Sequence, residues 1–87
     1  MNLEIGKLYT LNPINSTPWN YCFVFNSELS SKNYGGISGI VKFSIDIFLL
    51  LDYKKAKKSI MIKILQQNGK VGYLQVNEKI FELKKEL

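Results

Sequence analysis

Apolar residues recur at every second position through several short stretches of the chain, the period of a half-buried β-strand. Ile60, Ile62 and Ile64 share one face of such a stretch, with Lys63 on the other. Residues 21–25, Tyr-Cys-Phe-Val-Phe, are aromatic and β-branched and too few for a helix. The alternation predicts strands over residues 3–12 (beginning near Gly6 and stopping at Pro13), 21–25, 41–53, 59–66 and 70–76, with a short last strand over 80–83. In the longest of them Phe43, Ile45, Ile47, Leu49 and Leu51 fall on one face, the expected core face, and Ser44, Asp46, Phe48, Leu50 and Asp52 on the other. A helix over 44–58 is the competing reading, but the period is two and no convincing cap precedes it. Phe48 and Leu50 then sit side by side on the outer face, where another part of the chain or another chain must cover them.

Breakers mark the connections. Pro13 and Pro18 lie in a polar loop over 12–20. Residues 26–39 read as a long loop freed by Gly35, Gly36 and Gly39, and a loop of that length in a small domain is functional or mobile. Residues 54–58 form a basic turn, 77–79 a tight turn, and 84–87 a solvated tail. Gln67-Asn68-Gly69 is the strongest turn signal. A two-residue loop there would set Ile64 against Tyr73 and Lys63 beside Leu74. A three-residue loop with Gly69 left-handed sets Ile60 against Val76, Ile62 against Leu74, Ile64 against Gly72 and Lys63 against Tyr73. A slip of one residue exchanges the two faces of a strand, so the clean separation of aliphatic from polar pairs selects the three-residue turn.

The chain has 87 residues, 46% hydrophobic and 22% charged, which predicts one globular domain over residues 1–87. No apolar run reaches the ~20 residues that span a bilayer, and the N-terminal residues lack a signal-peptide pattern, so a cytoplasmic location and no membrane partner are expected. Histidine is absent, and with it the commonest general base and most transition-metal sites. The one cysteine, Cys22, falls in an apolar run and reads as a small buried hydrophobe. Asp46 and Asp52 lie about 20 Å apart along one predicted strand, too far for paired acid–base work. No enzyme activity, cofactor or metal is therefore expected. All positive charges are lysines, and the net charge is +5 with a pI near 9.4. Phosphate contacts remain open to lysine, but bidentate base reading, the role of arginine, is not expected.

The stretch Asn68-Gly69-Lys70-Val71-Gly72-Tyr73-Leu74 resembles the distal hairpin of the Src-homology-3-like (SH3-like) barrel, and Ile80-Phe81-Glu82-Leu83 resembles its closing strand. The resemblance implies an all-β, five-stranded barrel whose last strand pairs back on residues 6–11. An oligonucleotide-binding (OB-like) barrel, also five-stranded, is the alternative. The peptide-binding members carry a tryptophan where this chain has Ser59-Ile60 and a proline where it has Gln75, so proline-rich peptides are not expected ligands. The Gly6-Lys7-Leu8-Tyr9 opening and Val71-Gly72-Tyr73 resemble short bacteriophage proteins of uncharacterised activity, implying a viral protein in a host cytoplasm.

Two sets of candidate residues follow. Trp19, Tyr21 and Tyr34, with Tyr9 in reach, could form an aromatic platform between the early loops, and Phe48 and Leu50 a contact patch or homodimer seam. Those five (Trp19, Tyr21, Tyr34, Phe48 and Leu50) are the expected residues of a protein-binding module, with edge pairing of strands as a source of affinity. Lys54, Lys55, Lys57 and Lys58 could instead track a phosphate backbone, with Trp19 stacking on a base, in a nucleic-acid- or nucleotide-binding protein. The bland readings are a tryptophan plugging the barrel end and a lysine turn that keeps the hairpin soluble.

Overall fold

The alternating runs become strands, and they join one sheet. The structure is a computed structural model that describes residues 2–33 and 35–86. In chain order its elements are β1 (Leu8–Pro13), β2 (Tyr21–Phe25), α1 (Glu28–Asn33), β3 (Ile37–Lys42), β4 (Phe48–Lys55), β5 (Ile60–Leu65), β6 (Val71–Val76) and β7 (Phe81–Lys85). The fold is all-β with almost no helix. Its seven strands form one antiparallel sheet, in the order β3-β2-β6-β5-β4-β1-β7, curled into a half-barrel. Seven strands replace the five that the barrel resemblance implies.

The β5–β6 hairpin has the register that its faces demand. Ile60 pairs with Val76, Ile62 with Leu74, Ile64 with Gly72 and Lys63 with Tyr73. Gln66 N donates to Lys70 O at 3.0 Å, Gly69 N donates to Gln66 O at 3.0 Å, and Gly69 takes φ +84°. An L side chain is strained at that angle. Gly69→Ala is accordingly expected to cost about 1 kcal/mol or more, a fall of about 4–8 °C in Tm by thermal denaturation. The turn is tied to β3 as well. The Gln66 amide donates to Ser38 Oγ at 3.0 Å and Asn68 Nδ2 to Ser38 O at 3.4 Å.

Residues 41–53 are not one strand. The chain turns over at Phe43–Ile45, where Ser44 takes φ +64°, a left-handed conformation uncommon for serine. The Asp46 carboxylate secures the turn by accepting from Lys42 N at 2.9 Å, and Asp46 N donates to Lys42 O at 3.1 Å. Asp46 and Asp52 thus never share a strand. Beyond the turn the parity of the chain is reversed. Phe48 and Leu50 point inward, 2% and 0% exposed, while Ile45 is 70% exposed and Ile47 is on the surface. The expected core face and outer face are exchanged. Phe48 and Leu50 offer no contact patch or dimer seam, because the chain itself covers them. A further bulge between Leu50 and Asp52 shifts the register again.

The expected loop over 26–39 contains α1 and the first half of β3. Ser27 caps the helix, its Oγ accepting from Ser30 N at 3.0 Å. Ser31 Oγ donates to Glu28 O at 2.8 Å and lies 3.3 Å from Met61 Sδ, which seats the helix on the sheet. Glu28 in its first turn pairs with Lys54 of β4 at 3.1 Å.

β7 returns to β1, pairing Leu83 with Leu11 and Lys85 with Tyr9. Lys84 and Lys85 are therefore strand residues and not a solvated tail, and Lys85 pairs with Glu4 at 2.9 Å. The two ends of the sheet then meet through a ring contact and a main-chain bond. Phe43, just beyond β3, lies against Phe81 of β7 with ring centroids 5.0 Å apart, and Ser44 N donates to Leu11 O at 2.9 Å. Inside the curl lie Tyr9, Leu11, Val24, Val41, Phe48, Leu50 and the three isoleucines of β5, with Leu74 and Val76. Tyr9 is core and not platform: it is 2% exposed, and its hydroxyl accepts from Glu4 N at 2.8 Å.

Candidate functional site

Where β2 leaves β6, the sheet opens into a groove. The two strands share one pair, Phe25 with Tyr73. Next to it β2 carries a bulge between Val24 and Phe25, against β3. A bulge bends its strand and increases the local twist, so β2 swings away from β6 beyond that point. The space left is a groove of about 630 Å³, lined by Trp19, Tyr21, Cys22, Phe23 and Phe25 on one side and by Lys58, Ser59, Leu74, Gln75 and Asn77 on the other, with Ser31 of α1 between. That volume is in the range of ligand-binding clefts.

Each wall is set by local sequence. Trp19 follows Pro18 in the loop before β2 and is 71% exposed. It does not plug the barrel. Thr17 Oγ1 donates to Trp19 O at 2.5 Å and holds the approach to the strand. Tyr21 and Phe23 alternate along β2 onto one face and meet edge to face, with centroids 5.7 Å apart and planes at 82°. Lys58 and Ser59 come from the turn between β4 and β5, which is closed by Ala56 N donating to Ser59 O at 2.8 Å. The turn at Asn77 closes the far end, where Asn77 O accepts from Ile80 N and Phe81 N, each at 2.9 Å.

Trp19 and Tyr21 are thus brought together in one groove, and Lys58 faces them from the opposite wall. The other lysines do not join it. Lys54 is engaged by Glu28, and Lys55 and Lys57 stand outside the lining. Tyr34 lies outside the described residues. Phe23, Phe25, Gln75 and Asn77 are wall residues that the sequence reading passed over. Trp19, Tyr21 and Phe23 at successive odd positions were the available signal, since a run of aromatics on the outer face of a strand is unusual for a face turned to water.

The groove's electrostatics are simple: among the described residues its lining carries one cation, Lys58, and no carboxylate. Cys22 is half-buried at its edge, and burial pushes the thiol up to about 12. The thiolate is the reactive form, so Cys22 is expected to resist iodoacetamide at pH 8 in the folded protein and to react readily in denaturant, which a mass-resolved labelling time course checks. Among the described residues no cluster of three or more His, Cys, Asp or Glu side chains could hold a metal ion, and no helix is long and apolar enough to cross a membrane. No protein-family model, curated protein or solved structure matches the chain.

Proposed function

We propose that this protein is a non-enzymatic binding module, an SH3-like barrel of bacteriophage origin acting in a host cytoplasm, which docks a host or viral protein in the groove between β2 and β6. The observation that carries this reading is the groove's wall of Trp19, Tyr21 and Phe23, aromatic side chains held exposed on β2 and the loop before it rather than packed into the core. Exposed, rigid aromatics beside a cleft are the usual anchors of protein interfaces. Support for the barrel comes from the strand order β7-β1-β4-β5-β6, in which three consecutive strands neighbour one another and the last returns to the first. On this reading β2, α1 and β3 elaborate the first long connection of the barrel and supply one wall of the groove.

The test is capture of partners from host lysate by the tagged protein and by two variants. Trp19→Ala combined with Phe23→Ala is expected to weaken the capture about 30-fold or more, since truncation of an interface anchor costs about 2 kcal/mol. Ile45→Lys, on a different surface, is expected to retain it. Equal capture by all three proteins would remove the groove from the interaction.

Lys58 favours a second reading, in which the groove takes a nucleotide or a single strand of nucleic acid and an aromatic ring stacks on a base. Salt separates the two. A single lysine–phosphate contact weakens about threefold between roughly 50 and 200 mM salt, whereas aromatic docking changes little.

A further inference from the structure

The main chain along the groove is an interrupted ladder. Just before β2, Asn20 O accepts from Phe43 N at 2.9 Å, and the register continues Tyr21–Lys42, Cys22–Val41, Phe23–Ile40. Antiparallel pairs alternate between bonded and non-bonded, so Asn20, Cys22 and Val24 turn their N–H and C=O groups toward β3. Tyr21 and Phe23 turn theirs the other way, into the groove. The same argument holds on β6. Gln66 N donates to Lys70 O, and the register runs through Ile64–Gly72 and Ile62–Leu74. Gly72, Leu74 and Val76 therefore serve β5, while Tyr73 and Gln75 face β2. Continuing the Phe25–Tyr73 pair would set Phe23 against Gln75 and Tyr21 against Asn77. The strands diverge before either pair forms, and all four residues line the groove. Two strand edges thus face each other with their pairing groups directed into the same space.

We infer that the groove takes an extended, acidic polypeptide segment as an added strand, bonded through its main chain to the inward edges of β2 and β6, with a carboxylate at Lys58. The inference rests on the docking reading above and names the mode and the chemistry of the partner. Three observations select this occupant. The edge groups of Tyr21, Phe23 and Gln75 require a partner with its own alternating donors and acceptors, which an extended peptide supplies and a proline-rich one largely lacks. The aromatic wall accommodates alternate side chains of a strand, whose neighbours point to opposite faces. The only charge in the lining, among the described residues, is a cation, which complements an acidic segment and repels a basic one.

The probe is the peptide acetyl-Glu-Thr-Val-Thr-Val-Thr-Glu-amide, titrated to millimolar concentration into the isotope-labelled protein. Its controls replace both glutamates by lysine, methylate alternate backbone nitrogens, or substitute a proline-rich peptide of equal length. Amide exchange and chemical shifts are read by NMR. The expected result is new exchange protection at the amides of Phe23 and Gln75 with the acidic peptide. The lysine peptide and the N-methylated peptide should each bind about fivefold more weakly or worse. Lys58→Glu should reverse the preference between the acidic and lysine peptides. Absence of protection at these amides, or equal protection by the proline-rich or N-methylated peptide, overturns strand addition. The two readings fail separately. If the aromatic variants lose their captured partner while these amides stay unprotected, side-chain docking stands and strand addition falls. If capture ignores the aromatic wall, the docking reading falls first.

Discussion

Leu50→Lys is expected to lose much or all of the domain's stability and melt far below the parent, while Ile45→Lys, five residues earlier, melts like the parent. Leu50 has no exposed surface, sits opposite Ile64 on β5, and is held by its own main chain, with Leu50 N donating to Lys7 O at 3.0 Å and Leu50 O accepting from Gly6 N at 2.8 Å. The side chain cannot swing out without breaking that edge. An ammonium at this site would be buried without a partner, at a cost of about 3–5 kcal/mol or more. A domain of this size has about 4–13 kcal/mol of stability in all. Ile45 lies on the exposed turn, and surface substitutions of that kind stay within about 0.5 kcal/mol. Circular dichroism and a thermal melt of the two variants decide the matter. The opposite result would restore the simple alternation of residues 43–51 and put Leu50 on the surface.

The second large effect is expected at Gly72. It lies on the core side of β6 opposite Ile64, and a methyl group there would collide with Val24 Cγ1 and approach Ser38 Oγ to 2.8 Å. Val24 is fully buried and β-branched, so it has no other rotamer to retreat to at low cost. The strand itself must move. Gly72→Ala is therefore expected to cost about 2–3 kcal/mol, and about 10–20 °C in Tm. Because Val24 precedes Phe25, the partner of Tyr73, the strain falls on the one pair that joins β2 to β6. Loss of exchange protection in β2 should exceed that in β4 and β5. A uniform loss would mean that the methyl group is absorbed elsewhere.

Sequence and structure agree where the two faces of a strand differ in chemistry. Three isoleucines against Lys63 leave β5 one way to face, and that fixes the register of β6 and the left-handed Gly69. β2 was legible because five apolar and aromatic residues end in polar ones at both sides. The failures have equally local causes. From Ile47 to Leu51 every residue is apolar, so alternation cannot say which face is inward, and the turn that reverses parity uses Ser44 at positive φ where glycine or asparagine would have announced it. α1 is six residues, all polar but Leu29, whose one signal is the Ser27 cap before Glu28. Of the candidate site, the aromatics on β2 were visible in the sequence. Their meeting with Lys58, Gln75 and Asn77 was not, because it depends on a bulge between Val24 and Phe25 that no residue type there demands.

The pairing of β7 with β1 has a consequence for how the molecule comes into being. The chain is made from one end, and β1 emerges long before its outer neighbour exists. Until Phe81 to Lys85 have been synthesised, the outer edge of β1 is a row of unused donors and acceptors, open to wrong partners. Contacts joining the two ends of a sequence also give it a high contact order, which places folding among the slow, millisecond-to-second β-proteins. The strand that covers the outer edge of β1 is thus made long after it, and the nascent chain must wait for it.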